Sequence, residues 1–156
     1  MISLLEVTSL AATTQVPQVA GYDFEVAPNL ADLITRKRLS SSATKGFFRI
    51  AGRWHIKDAD ARLLLGGISS GSFYSLKKNS DQRVLDQDTL TRISLLVGIY
   101  KVLNILYSPR LAAAWITLPN TNPMFHGSSP LDYILRFGLP GMMHVRQLLD
   151  ARRGGQ

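Results

Sequence analysis

The chain has 156 residues, of which 46% are hydrophobic, and this suffices for one packed domain or two very small ones. Its 18 lysine and arginine residues exceed the 11 acidic residues, so the formal charge is +7 and anionic partners such as nucleic acid or an acidic protein surface are favoured. The sequence has no cysteine, which excludes disulfides, thiolate zinc sites and a cysteine nucleophile.

The first 27 residues mix threonine, glutamine, proline and apolar residues without a clear period, and predict an irregular arm. Their apolar run contains Glu6 and has no basic lead region, so it is a poor secretion signal. The most apolar stretch, "ISLLVGIYKVLNILY", is interrupted by Lys101 and Asn104 and is shorter than the ~18 residues that a membrane helix needs. We therefore expect a cytoplasmic protein.

Helical periodicity begins at residue 28. The segment "PNLADLITRKRL" places Leu30, Leu33 and Ile34 on one side of a helix. The three serines at 40–42 predict a stop and a fresh N-cap for a second helix, "ATKGFFRIAGRW". Asp58 can cap a short helix, "ADARLLL", which the glycine pair at 66–67 would end because glycine accepts the left-handed conformation.

A long helix follows, "TLTRISLLVGIYKVLNILY", with Asp86 or Asp88 as its cap. Its two apolar stripes are too wide for one contact face, so the helix is either the centre of the fold or part of a subunit interface. Serine-proline pairs at 108–109 and 129–130 begin two more helices, and Pro140 begins the last. Strand-like alternation occurs only around residues 22–26, and the predicted fold class is all-α.

Residues 67–71, "GISSG", spell the G-x-S-x-G pattern of a hydrolase nucleophile elbow around Ser69. That elbow needs a preceding strand and an α/β sheet that holds a histidine and a carboxylate, whereas the sequence predicts a helix before the glycines. The three histidines do not have metal-ligand spacing. We therefore predict no catalytic set, no metal site and no cofactor.

A helix-turn-helix accounts for the same segment better, with a short helix, a glycine turn and a second helix pinned by Ile68 and Phe73. The residues predicted to contact DNA are on or near that second helix: Arg53, Ser69, Ser70, Ser72, Tyr74, Lys77 and Lys78. Serines discriminate bases poorly, so direct readout would be thin. A helix-turn-helix that serves only as scaffold is the alternative.

The C-terminal segment "AAAWITLPNTNPMFHGSSPLDYILRFGLPGMMHVRQLLDARRGG" resembles the toxin-binding domain of the Xre/MbcA/ParS antitoxins, which pair with toxins of the RES-domain type. The residues that carry this likeness are Trp115, Leu118, Pro119, Asn120, Phe125, Gly127, Pro130, Leu131, Asp132, Leu135, Gly138, Val145, Leu148, Leu149 and Gly154. The order of the upstream elements is also similar to this family. We accordingly divide the chain into an arm (1–27), a domain with the helix-turn-helix and the long helix (28–107) and a toxin-binding domain (108–156).

The resemblance implies a non-enzyme that neutralises a toxin acting on NAD, by NAD hydrolysis or ADP-ribosylation, with its final residues reaching toward the NAD-binding cleft. The residues predicted to bind the toxin are Met142, Met143, Arg146, Leu149, Arg152, Arg153, Gly154 and Gly155. Arginine can pair with acidic groups, methionine adapts at interfaces, and glycine lets a tail enter a narrow cleft. In the alternative interpretation the leucines are core and the arginines only cap the helix.

Regulators of this kind usually act as dimers, because two recognition helices ~34 Å apart match successive major grooves. The apolar surplus of the long helix is available for such an interface. The other function that the sequence leaves open is a helix-turn-helix transcription regulator without a toxin partner.

Overall fold

The computed structural model describes residues 28–154, and every regular element in that range is a helix. The predicted arm and Gly155 lie outside the described residues. The described helices are α1 (Leu33–Arg53), α2 (Asp58–Leu64), α3 (Ser70–Lys78), α4 (Gln87–Leu106), α5 (Pro109–Ala114), α6 (Pro130–Phe137) and α7 (Leu139–Gly154), with a 3₁₀ turn (Pro123–Phe125) before α6. The all-α prediction is confirmed.

α1 is one continuous helix, so the predicted stop at residues 40–42 is wrong. The Ser40 hydroxyl donates to the carbonyl of Arg36 at 2.6 Å, and the Thr44 hydroxyl donates to that of Ser40 at 2.8 Å. Ser40 also accepts a hydrogen bond from the Leu85 amide at 2.9 Å. These buried hydroxyls are satisfied inside the helix and by the loop before α4, and the chain has no reason to turn there.

The start of α1 also differs from the prediction. Asp32 caps the helix by accepting a hydrogen bond from the Thr35 amide at 3.1 Å. Leu33 and Ile34, expected on the apolar side, are exposed, and the buried face begins at Leu39. The first turn therefore extends beyond the core.

α4 is the centre of the fold, which confirms one of the two predicted roles. Ten of its residues are buried, and it packs against α1, α5 and α7. Both apolar stripes are used by these contacts, and among the large apolar side chains of α4 only Ile105, 58% exposed, is well open to solvent. The predicted apolar surplus for a dimer interface is therefore absent from this helix.

α4 is also the one described helix that is long and apolar enough to cross a membrane, by length and composition alone. More than half of that stretch, 56%, is buried inside the protein. The core helix of a globular protein meets the same criteria, and α4 is accounted for as such a helix.

Local capping chemistry sets the ends of the later helices. Asp86 begins α4 by accepting a hydrogen bond from the Thr89 amide at 2.7 Å, which holds the pKa of Asp86 below its ordinary value. Ser129 and Asp132 form a capping box at the start of α6, and Gly138 ends that helix with φ of 65°. These boundaries lie where the sequence places them. α5 begins at Pro109, as the serine-proline pair at 108–109 predicts, and ends at Ala114.

Candidate functional site

The turn between α2 and α3 is a two-glycine helix end. The amides of Gly66 and Gly67 donate to the carbonyls of Leu63 and Arg62, both at 3.0 Å, and both glycines have positive φ. This is the Schellman arrangement, which needs a left-handed residue after the helix. The predicted glycine turn is confirmed.

Ser69 is the N-cap of α3. Its hydroxyl oxygen accepts a hydrogen bond from the Ser72 amide at 3.2 Å, and its φ of −60° is unstrained. The element before the turn is a helix, so the strand-to-helix reversal of a nucleophile elbow is not present here. The Ser69 hydroxyl is occupied in helix capping.

α3 is held against α1 through its apolar side. The Phe73 ring is buried and meets the Phe48 ring edge-on, with centroids 5.4 Å apart, while Leu76 is buried beside it. The rest of the α3 surface carries Ser70, Tyr74, Lys77 and Lys78, and all four are exposed. The second helix is thus rigidly seated with a polar face outward, as a recognition helix requires.

Two of the three cations predicted to contact DNA are already engaged. Lys77 lies 2.9 Å from the carboxylate of Asp58, and this hydrogen bond holds the pKa of Asp58 below its usual range. Arg53 donates to the Tyr100 hydroxyl at 2.8 Å. Lys78 is exposed and has no polar partner within residues 28–154. Of the predicted DNA-binding serines, Ser72 is half-buried and its hydroxyl lies 2.9 Å from that of Ser69.

α7 has an inner side that packs on α4 and α6. Met142, Val145 and Leu149 on this side are completely buried. Met142 and Leu149, two of the predicted toxin contacts, therefore offer no surface to a partner and serve as core. For Leu149 this agrees with the alternative interpretation of the sequence, in which the leucines of this helix are core residues.

Arg152 also points inward and donates to the Tyr107 hydroxyl at 3.0 Å, where it ties the end of α7 to the end of α4.

The outer side of α7 carries the other predicted residues. Met143 is 45% exposed, and Arg153 and Gly154 are exposed at the helix end. Arg153 has no polar partner among the described residues. Met143, Arg153 and Gly154, together with Arg146 at the edge of the helix, form what we call the outer stripe.

Arg146 bridges two helices. Its Nε donates to both carboxylate oxygens of Asp150, at 3.1 and 2.9 Å. Its guanidinium lies across Gly98 of α4, so close that a β-carbon at position 98 would overlap it. The contact with Gly98 is not visible as a sequence motif, because Gly98 and Arg146 are far apart in the chain, whereas Arg146 and Asp150 have the i,i+4 spacing of a helical ion pair.

A pocket formed by the 3₁₀ turn, the loop after it and α6 was not predicted. It has a volume of about 390 Å³ and is lined by Phe125, His126, Ser128, Asp132, Tyr133, Arg136 and Phe137. The Tyr133 hydroxyl lies 2.8 Å from Nδ1 of His144 in α7. The aromatic spacing of Phe125, Tyr133 and Phe137 is the sequence signal that could have indicated it. Within residues 28–154, no cluster of acidic and histidine side chains could hold a metal ion.

Two family models match the chain and meet at Gly98. Residues 34–98 match the antitoxin Xre-like helix-turn-helix domain, and residues 98–155 match the antitoxin Xre/MbcA/ParS C-terminal toxin-binding domain. The chain belongs to the Xre/MbcA/ParS antitoxin family. The antitoxin is 39% identical over 112 residues to the uncharacterized protein y4oB of Sinorhizobium fredii, an alignment that covers 71% of this chain and 84% of the relative. No solved structure matches it.

The matches confirm the predicted family, and they place a helix-turn-helix ahead of a toxin-binding domain. The protein is therefore an antitoxin of a toxin-antitoxin system, and families of this kind are generally not enzymes. The two models meet inside α4, whereas the sequence predicts a boundary after residue 107. That division remains a prediction, since α4 packs against helices of both halves.

Proposed function

We propose that this antitoxin neutralises a RES-domain toxin that consumes NAD, by NAD hydrolysis or ADP-ribosylation, and that it does so by covering the NAD-binding active site. The observation that carries the proposal is the outer stripe of α7 inside the matched toxin-binding domain. Its terminal cation, Arg153, is exposed and has no polar partner among the described residues. An unpaired guanidinium at the end of a firmly packed helix is ready to bind an acidic group of a partner.

Each part of the outer stripe suits occlusion of a cofactor cleft. The Arg153 fork matches the carboxylates that such a toxin would use on its cofactor, and Met143 supplies adaptable apolar contact. Gly154 has no side chain and can enter a narrow opening, and the same role for Gly155 remains a prediction. Blocking a cleft requires no chemistry from the antitoxin, so no catalytic residue is needed.

An inhibition titration tests this function. The RES-domain toxin would be taken from the reading frame beside the gene and its NAD consumption followed as antitoxin is added. We expect wild-type antitoxin to abolish NAD loss, and Met143→Ala and Arg153→Ala to raise the concentration for half-inhibition by about tenfold or more, as truncated interface anchors do. Arg49→Ala, which removes the same charge from an exposed position of α1, is the matched control and should inhibit like wild type.

Two outcomes would contradict the proposal. Undiminished NAD loss with excess wild-type antitoxin would reject the toxin class. Equal inhibition by wild type, Met143→Ala and Arg153→Ala would reject the outer stripe as the binding surface.

The helix-turn-helix supports a second activity, in which a cytoplasmic homodimer binds its own operator and represses the operon. Its support is the exposed polar face of α3, the +7 charge and Lys78, which has no polar partner among residues 28–154. Because α4 offers no broad apolar face, the dimer rests on half-site spacing alone.

Salt dependence separates the two activities, and also separates an antitoxin from a regulator without a toxin partner. DNA affinity should fall steeply between ~50 and ~200 mM salt, because many phosphate contacts are lost, whereas toxin binding through Met143 and a few arginine contacts should fall much less. Steep loss of DNA binding with no detectable toxin binding would favour the regulator.

A further inference from the structure

Gly98 lies in the middle of α4, where glycine is a poor choice. It weakens a helix relative to alanine, and Gly98 is not among the glycines whose positive φ would require it. What distinguishes position 98 is the close approach of a side chain from another helix. Gly98 differs in this respect from the helical glycines Gly52 and Gly71, at which an added β-carbon would have nothing within 4 Å.

The group that approaches is the guanidinium of Arg146. A β-carbon at position 98 would overlap Nη1 of Arg146 and would stand 2.6 Å from its Cζ. Real β-carbons essentially never approach another atom so closely, so any side chain at position 98 would displace the guanidinium. The guanidinium of Arg146 therefore packs directly on the backbone of α4 at Gly98.

Asp150 holds the same guanidinium from the other side, through the two hydrogen bonds to Nε. The Arg146 side chain retains 27% of its exposure, at the edge of the outer stripe. A free arginine loses many rotamers when it binds a partner, and a side chain already fixed between two helices loses few. Arg146 is thus preorganised: Nε is held by Asp150 and Nη1 lies on Gly98, which leaves the Nη2 donors to meet an anionic group.

We propose that Gly98 is a positioning residue for toxin binding. It seats the Arg146 guanidinium at the edge of the outer stripe, so the strength of toxin binding depends on a residue of α4 that acts through Arg146. This inference rests on the proposed function, in which Arg146 contacts the toxin.

A double-mutant cycle tests whether Gly98 acts on toxin binding through Arg146. Toxin affinity would be measured for the wild type, Gly98→Ala, Arg146→Ala and the double variant. We expect each single variant to weaken binding by about tenfold, and the double variant to bind no more weakly than Arg146→Ala, because both changes remove the same interaction. Gly52→Ala, which also replaces a helical glycine but meets nothing, is the control and should bind like wild type.

A toxin-free measurement follows Arg146 directly. The Nε–H resonance of Arg146 in a ¹⁵N spectrum should exchange slowly with water, because both Asp150 oxygens accept from it. Gly98→Ala should shift this resonance and speed its exchange, while Gly52→Ala should leave it unchanged. If Gly98→Ala fails to fold, Asp150→Asn releases the guanidinium from its other side and should weaken binding in the same way.

Several results would overturn the inference. One is wild-type toxin affinity in Gly98→Ala. Another is a double variant whose loss of affinity equals the sum of the two single losses in free energy, which would mean that Gly98 acts through helix packing alone. An unchanged Arg146 resonance in Gly98→Ala would also reject the seat. If wild-type antitoxin does not bind the toxin, the proposed function and the binding claim fail together, and the resonance still decides whether Gly98 seats Arg146.

Discussion

Met142 and Met143 are neighbours in α7, yet one lies on the inner side and the other on the outer stripe. Met142 has no exposed surface, whereas Met143 is 45% exposed. Replacing a buried methionine by alanine costs about 2–5 kcal/mol, through lost transfer free energy and the cavity that remains. An exposed side chain away from such packing changes the free energy of unfolding by only about 0.5 kcal/mol. Met142→Ala and Met143→Ala should therefore differ by at least about 1.5 kcal/mol in stability.

Urea unfolding can measure this difference. Trp54 and Trp115 are both buried, so their fluorescence reports the loss of the core. With an m-value of about 1–3 kcal/mol/M, the Met142→Ala midpoint should fall by about 0.7 M or more, and the Met143→Ala midpoint should stay near wild type. Met143→Ala, which should keep the stability of the wild type, should nevertheless inhibit the toxin more weakly than the wild type does. Equal loss of stability at the two positions would refute the assignment of an inner and an outer side.

Three other results are expected. Asp86→Ala should lower the free energy of unfolding by about 1 kcal/mol at neutral pH, because a helix cap is lost. The Thr89 amide holds the Asp86 pKa below its ordinary 3.8, so this contribution is present above pH 3.8 and disappears as the pH falls through the lower folded-state pKa. Urea titrations of wild type and variant should converge in acid, and a constant difference would contradict this. Ser40→Ala should cost about 1–3 kcal/mol because the buried Leu85 amide loses its acceptor, while Ser42→Ala, at an exposed position, should be near neutral in the same assay. Lys78→Ala should reduce the slope of log affinity for operator DNA against log salt by about one, and Lys77→Ala by less because Asp58 already pairs with it. Identical slopes would argue against a phosphate contact at Lys78.

The parts of the fold that the sequence predicted are those decided by local chemistry. Gly66 and Gly67 end α2, Ser69 and Asp86 cap their helices, and Ser129 begins α6, each through bonds that span a few residues. The prediction failed at residues 40–42, where the same residue type has two options. Serine can cap a new helix or bond back inside an existing one, and the choice depended on the Leu85 amide, 45 residues away.

The candidate site was predicted as a set of residues, and its orientation was not. Adjacent similar residues occupy 142–143, 148–149 and 152–153 of α7, and a helix turns by about 100° per residue, so only one member of each pair can face the core directly. Sequence periodicity gives little basis for choosing between the two members. Packing against α4 makes the choice and buries Met142 and Leu149.

The pair at the end of α7 shows why this orientation matters for toxin binding. Arg152 and Arg153 carry the same charge at the same helix end, and a toxin attracted only by net charge would respond equally to the loss of either. Arg152 already bonds to Tyr107 at the end of α4, while Arg153 is exposed and without a polar partner among the described residues. The first ties the end of α7 to the end of α4, and the second is available to a partner. A docking surface built in this way therefore depends on α4 for its geometry and on α7 for its contacts, which is the same division of roles that we infer for Gly98 and Arg146.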